Sequence, residues 1–312
     1  MAAFRWDPRA EPQDELRRIA RAQIDRGLQE LGSEDRHRAV HQVRQRGKKV
    51  RALLRLVRAA APELYDRENV AFRDTMRRLS GVRDVGVAVE TFDALVARFS
   101  DNGVAEELAP IREILAERRA EVLDDDLDQR LRAVDAELRE ARERVAGWEL
   151  DADGFEVFEG GLAKTYDRAR ERMGDAYDDA TSSSFHLWRK RAKYHRHHLR
   201  LLQSAWPAVL KARRGQVHEL TDLLGDDHDL AVLRRDLTAD PHRFAAEREV
   251  AALCGLLDRR RAELQAQAWV LGQRCFAEDP ACLLAQLRVT WNSAGAATPR
   301  DPLPDPTVVP GH

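Results

Sequence analysis

Two Arg-rich stretches decide the fold: HQVRQRGKKVRALLRL at residues 41–56 and HLWRKRAKYHRHHLRL at residues 186–201. At a constant offset of 145 residues, eight of these sixteen positions are identical. The same offset sets Pro62 against Pro207 without a gap. Similarity at one fixed period is the signature of a repeated structural unit. The sequence therefore predicts a chain built by tandem duplication.

The duplication predicts the domain organisation. The first helical repeat spans residues 14–148 and the second spans 156–292, so that one domain covers 14–292. The stretch that follows, 293–312, is rich in Pro and polar residues, and this composition predicts a disordered tail.

The composition favours helices throughout the chain. Apolar residues make up 43% of the 312 residues, charged residues 34% and aromatic residues only 6%. No segment shows the sustained alternation of apolar and polar residues that is typical of strands. Helix breakers such as Gly225 and Pro280 fall at helix-sized intervals. We therefore predict an all-α fold in which these residues separate helices.

Charge and composition argue against several classes of protein. Lys and Arg number 52 and Asp and Glu 54, a net charge of −2, which disfavours a uniformly basic nucleic-acid binder. The chain has neither a run of roughly 18 apolar residues nor a secretory signal. Cys254, Cys275 and Cys282 show no CxxC spacing. We expect a cytoplasmic protein with reduced core thiols, no metal and no cofactor.

Each Arg-rich stretch carries one His followed by four cations at steps of 3, 4, 3 and 4 residues. These steps place all five side chains on one face of a helix, in a line about 21 Å long. The first stripe is His41, Arg44, Lys48, Arg51 and Arg55, and the second stripe is His186, Arg189, Lys193, Arg196 and Arg200. The chain as a whole is almost neutral, so this is a local concentration of positive charge.

Two interpretations of the stripes are open. A basic stripe is often a solvated face, or it pairs with acids on a neighbouring helix. Like charges three or four residues apart repel by a few tenths of a kcal/mol per pair, and a bound anion would remove that cost. The duplication with matched intervals favours anion binding. Further candidates for the same site are Arg17 and Arg21 in the first repeat and Lys164 and Arg168 in the second.

The two stretches resemble the CHAD family, the conserved histidine α-helical domain. Two shorter elements share the resemblance: LSGVRDVGV at 79–87 and LLGDDHDLAV at 223–232. Ser80 and His228 depart from the family pattern. The resemblance implies two four-helix units related by a pseudo-twofold axis around a basic central cavity. It also implies binding of inorganic polyphosphate and association with polyphosphate granules.

The resemblance also implies which residues hold the ligand. Those of the first repeat are His41, Arg44, Lys48, Lys49, Arg51 and Arg55, and those of the second are His186, Arg189, Lys190, Lys193, Arg196 and Arg200. Some family members carry a triphosphate-tunnel domain with an E-x-E-x-K motif, which this sequence lacks. We therefore expect binding without hydrolysis, and no enzyme. If the histidines titrate near pH 6.5, binding should be tighter at pH 6 than at pH 8.

Two other functions stay open. A binder of single-stranded nucleic acid, or of another polyanion, would use the same cations, but it would also want stacking aromatics, and Trp188 and Tyr194 lie off the stripes. A metal-dependent phosphohydrolase could use His228 with Asp229. The matched position of His228 is Arg83, so a His is not required there. We expect Asp229 to cap or anchor the start of a helix instead.

Overall fold

The computed structural model describes residues 4–80, 84–99, 104–121, 127–240, 243–244 and 247–296. Every regular element within these residues is a helix, as predicted. The first half contains α1 (Pro12–Leu31), α2 (Arg36–Leu56), α3 (Pro62–Arg78), α4 (Asp84–Arg98), α5 (Val104–Glu107), α6 (Ala109–Glu121) and α7 (Leu127–Arg144). The second half contains α8 (Glu156–Asp178), α9 (Ser182–Leu201), α10 (Pro207–Ala239), α11 (Glu247–Cys275) and α12 (Pro280–Gly295).

Local signals explain where the helices that carry the stripes begin. The Asp35 side chain accepts a hydrogen bond from the Arg38 backbone N–H and caps α2. Thr181 and Ser184 form a reciprocal capping box at the start of α9. The matched prolines of the two repeats both occupy the first turn of a helix, α3 and α10, where a missing N–H costs nothing. The stripes therefore lie on helices that start at equivalent places.

The buried apolar residues form two clusters, and each draws on both halves of the chain. The larger cluster lies among α1, α2, α3, α7, α8, α9, α12, the first part of α10 and the last part of α11. The smaller cluster joins α4 and α6 to the later part of α10 and the first part of α11. Neither cluster is confined to one repeat, so the packing does not divide at the join. The arrangement as two pseudo-twofold units of four helices stays a prediction.

Two glycines permit close packing around α2. A β-carbon at Gly47 would collide with the Met76 side chain of α3. A β-carbon at Gly161 in α8 would collide with the backbone carbonyl of Leu56 at the end of α2. Helix α2 is therefore held tightly between α3 and α8, which fixes the position of its stripe.

Three expectations about local structure are wrong. Helix α10 runs unbroken through Gly225 and Asp229, so Gly225 does not separate helices and Asp229 does not start one. A glycine costs a helix about 1 kcal/mol, which a long packed helix tolerates, and here its missing side chain leaves room for the Arg189 guanidinium. Cys282 is exposed and not a core thiol, because it lies in the first turn of α12.

The last helix and the lengths of the helices test the expectations about the tail and about membrane spans. Helix α12 extends to Gly295, past the predicted start of the tail, and residues 297–312 lie outside the described residues. Within the described residues, no helix is both long and apolar enough to span a bilayer.

Candidate anion-binding site

Helices α2 and α9 pack against each other, and α10 packs along α9. Between them lies a cavity of about 340 Å³, here called the basic cavity. Its cations are Arg44, Lys48 and Arg51 from α2 and Arg189, Lys190, Lys193 and Arg196 from α9, and its other lining residues are Gln45, Tyr194, His186, His197 and His228. No acidic side chain is among these described lining residues. The fold thus brings the central parts of the two stripes to one cavity.

Contacts with α3 orient the α2 side of the basic cavity. The Arg44 Nη1 donates to the backbone oxygen of Met76 at 2.8 Å. The Arg51 Nε donates to the side-chain oxygen of Asn69 at 3.1 Å. Both acceptors are neutral, so these two bonds position the guanidinium groups without cancelling their charge.

Contacts with α10 orient the α9 side. The Arg196 Nη1 lies 2.9 Å from the His218 Nδ1 and donates to the Thr221 hydroxyl at 3.2 Å. Burial lowers the pKa of Arg196, and the attraction of Asp222 only partly opposes this. Keeping the Arg196 charge away from water therefore costs free energy, and a bound anion would reduce that cost.

Two predicted ligands, Lys49 and Arg55, lie beside the basic cavity rather than in its lining. Burial, with the repulsion of nearby arginines, lowers the pKa of Lys49 to about 8. Arg55 is 7% exposed, and its guanidinium lies 4.0 Å above the ring of Tyr194. Burial lowers the pKa of Arg55 to about 10. Both side chains add positive potential at the edge of the cavity.

The environment of the three histidines in the basic cavity disfavours their charged form. Burial and neighbouring cations lower the pKa of His228 to about 4 and that of His197 to about 3. They also lower the pKa of His186. The expectation of ordinary titration near pH 6.5 is therefore wrong for His228 and His197, because an imidazolium with little water around it and cations beside it is unfavourable.

Comparison with known proteins identifies the family. A model of the CHAD domain matches residues 15–238, which is more than half of the chain. The chain belongs to the CHAD domain family. This family is associated with polyphosphate binding in general.

One solved structure supports the fold. The crystal structure of the CHAD domain from the plant Ricinus communis matches 94% of this chain and 95% of its own, with a TM-score of 0.50 and 20% sequence identity. At that identity the similarity shows the fold alone. A comparison with curated proteins gives no match.

Several residues that were predicted for the site, from the resemblance or as further candidates, do not line the basic cavity. His41 lies at its α2 end, with its Nε2 3.4 Å from the Gln45 side chain. Arg200 donates to the Gln203 side chain at 3.3 Å. Arg17 donates to the backbone oxygen of Trp148 at 2.9 Å, at the end of the first repeat. Arg21 and Lys164 are exposed on α1 and α8.

A second basic cluster was missed by the spacing argument. Arg58 and Arg191 lie close enough to Arg168 that all three repel one another, and burial with this repulsion lowers the pKa values of Arg58 and Arg191. Tyr65 partly offsets the effect. Arg58 lies in the turn that follows α2, and Arg191 lies on α9 but off its stripe, so only the packing of α8 against both helices reveals the cluster.

The other histidines of α9 are structural. His198 is fully buried, and its Nε2 donates to the backbone oxygen of Ala52 at 3.1 Å. His195 packs against the rings of Tyr166 and Phe276. Among the residues that the structure describes, no three His, Cys, Asp or Glu side chains are placed to hold a metal ion.

Proposed function

We propose that this CHAD domain binds inorganic polyphosphate in the basic cavity. The observation that carries the proposal is the cavity lining itself: seven cations from two duplicated helices, and no acid among the described lining residues. The seven cations repel one another across the cavity, and a polyanion would offset that repulsion.

The residue types suit a chain of phosphates. Polyphosphate carries charge and oxygen acceptors at every unit and has no bases to recognise. Arginine donates two parallel hydrogen bonds to phosphate oxygens, and Arg44, Arg51, Arg189 and Arg196 all line the basic cavity. Lysine adds mobile point charges. Recognition of this kind requires no sequence-specific contact, so a repeating polymer is a suitable ligand.

The aromatic residues favour polyphosphate over single-stranded nucleic acid. Base stacking needs an open aromatic face. Tyr194 is the one Phe, Tyr or Trp in the described lining, and Arg55 covers a face of its ring at 4.0 Å. Trp188 is fully buried in the core. We therefore keep RNA and DNA as the weaker candidates.

The proposal describes a binding module and not an enzyme. His228 and Asp229, the pair that a metal-dependent phosphohydrolase could use, lie on consecutive positions of α10 and therefore on different sides of that helix. His228 faces the basic cavity, among cations. We propose that polyphosphate is held there without hydrolysis, and that the protein associates in this way with polyphosphate granules in the cytoplasm.

A salt titration tests the proposal. We would titrate long-chain polyphosphate into the protein at several salt concentrations and compare the double variant Lys48→Gln/Lys193→Gln. Seven contacts predict a log–log slope of about −5 by analogy with single strands, and the double variant should reduce that slope by about 1.4.

Two controls complete this titration. The variant Arg73→Gln/Lys211→Gln removes two exposed cations outside the basic cavity, so it should bind as the unchanged protein does. Single-stranded RNA at equal charge should fail to displace polyphosphate. Equal weakening by both double variants, or ready displacement by RNA, would contradict polyphosphate binding at this site.

A further inference from the structure

Two histidines from different helices stack in the basic cavity. The rings of His186 on α9 and His228 on α10 lie 4.5 Å apart, centroid to centroid, at an angle of 38°. Both side chains line the cavity. The Nδ1 of His186 is buried and has no hydrogen-bond partner among the described residues. The pair thus faces the space in which an anion would lie.

Among the described residues, the charged groups that line the cavity with the pair are cations. On α9 these are Arg189, Lys190 and Lys193, and on α10 Arg235 acts on His228. From α2, Arg44 and Lys48 line the same cavity. The free protein consequently disfavours any further positive charge at this place.

The acids that surround His228 in sequence face elsewhere. Asp227 accepts a hydrogen bond from the Arg261 Nε of α11 at 3.0 Å. Asp226 and Asp229 line a separate cavity among α4, α10 and α11. The described lining of the basic cavity therefore offers no acid to an imidazolium, whereas an incoming anion would stabilise one.

We propose that a polyphosphate chain entering the basic cavity causes the His186–His228 pair to take up a proton, so that the proton is a second ligand of this site. The inference rests on the proposed function. The proton comes from the solvent buffer, and it converts an imidazole nitrogen into an N–H donor to a phosphate oxygen.

The stoichiometry follows from the geometry. Two imidazolium rings 4.5 Å apart would repel each other, so the pair takes one proton more readily than two. In the free protein the pKa of His228 is about 4 and that of His186 is lowered. The polyanion reverses the repulsion that contributes to both shifts. For one proton, linkage predicts that affinity rises about tenfold for each pH unit lost, between the free and the bound pKa of the pair.

Calorimetry of polyphosphate binding at pH 5.5, in two buffers of different ionisation enthalpy, measures the proton uptake. Lys49, with a pKa of about 8, is already charged at this pH and does not contribute. The use of long polyphosphate chains keeps the number of terminal phosphates small, so that protons taken up or released by these phosphates contribute little. We expect uptake of about one proton per protein. The variant His186→Gln/His228→Gln should lose the uptake, whereas His37→Gln, which changes an exposed His on α2, should keep it.

The outcomes separate this inference from the proposed function. Binding with the same heat in both buffers would overturn the inference and leave polyphosphate binding intact. Uptake that persists in the double variant would also overturn it, since the proton would then go to another group such as His197. Absence of binding would overturn both.

A measurement on the unchanged protein covers the case in which the double variant fails to fold. NMR of the histidine rings should show one of the two cavity resonances moving towards its imidazolium position when polyphosphate is added at pH 5.5. Ring resonances that stay at their neutral positions in the complex would overturn the inference.

Discussion

The stretch 41–56 on α2 and its counterpart 186–201 on α9 carry the same stripe residues but differ at half of their positions. The shared positions include every stripe residue, and the central ones line the basic cavity. At the positions that differ, the residue fits its local packing. Gly47 leaves room for the Met76 side chain, whereas the matched residue Ala192 is buried in the core. The comparison teaches that one face of a duplicated helix can stay the same while the other faces diverge.

The largest difference in stability effects between the two repeats should come from substitutions at position 68 and at its counterpart, position 213. Glu68 is fully buried, and both of its carboxylate oxygens accept from Arg144 at 3.1 Å. Arg213 instead donates to Glu278 at 2.8 Å, with both side chains about a third exposed. The charges are thus reversed between the repeats, and the burial is deeper in the first.

We expect Glu68→Gln to lower the free energy of unfolding by about 1–3 kcal/mol, because it removes the charge that compensates Arg144. Arg213→Gln should cost less than about 1 kcal/mol, since water screens the more exposed pair. Chemical denaturation of both variants measures the difference. Equal losses would show that burial does not distinguish the two pairs.

The second largest effect on stability should come from exchanging the residue types at position 47 and at its counterpart, position 192. Gly47→Ala places a methyl group against the Met76 side chain, and we expect a loss of about 1–2 kcal/mol as that flexible side chain shifts. Ala192→Gly should cost about 1 kcal/mol through helix propensity and a small cavity. In a protein that already carries Met76→Ala, the loss of stability caused by Gly47→Ala should disappear, whereas the loss caused by Ala192→Gly should remain. A stabilising Gly47→Ala would contradict the close packing of α2 on α3.

The smallest effect concerns Lys49, whose counterpart is Tyr194. Lys49 has a pKa of about 8 in the free protein, and a bound polyanion would raise it. The complex then holds more protons than the free protein, so affinity should fall as the pH rises from 7 to 9, by up to roughly tenfold for one proton. Replacing Lys49 with Gln should flatten the profile in this range. If Lys49→Gln leaves the pH dependence of affinity unchanged, Lys49 does not interact electrostatically with the ligand.

The same shift has the opposite consequence for stability. Because the pKa of Lys49 is lower in the folded chain than the ordinary value of 10.5, the unfolded chain binds more protons between about pH 8 and 10.5. This group therefore makes the folded protein more stable as the pH rises through that window. Binding and stability should then respond to pH in opposite directions.

Sequence spacing predicted that the residues of each stripe share one face of a helix, and the residues in the middle of the α2 stripe lie together. Arg44, Lys48 and Arg51 line the basic cavity as the steps of 3 and 4 residues imply. Spacing could not predict that Arg55 would turn onto Tyr194, because that depends on how α2 and α9 cross.

The residues that sequence reasoning missed belong to tertiary packing. His228 reaches the basic cavity because α10 continues unbroken past Gly225, and a glycine was expected to stop it. Arg58 and Arg191 meet Arg168 only because α8 packs against both α2 and α9. Local patterns identify helix faces, whereas the partners of those faces come from the fold.

The central claim is that one anion engages both repeats at once, and lysine footprinting tests it most directly. The protein would be acetylated with and without long-chain polyphosphate, and the modified lysines would be counted by mass spectrometry. The account predicts that Lys48 on α2 and Lys193 on α9 are protected together, while the exposed Lys211 is not. Protection of Lys48 or Lys193 alone, or equal protection of Lys211, would contradict it.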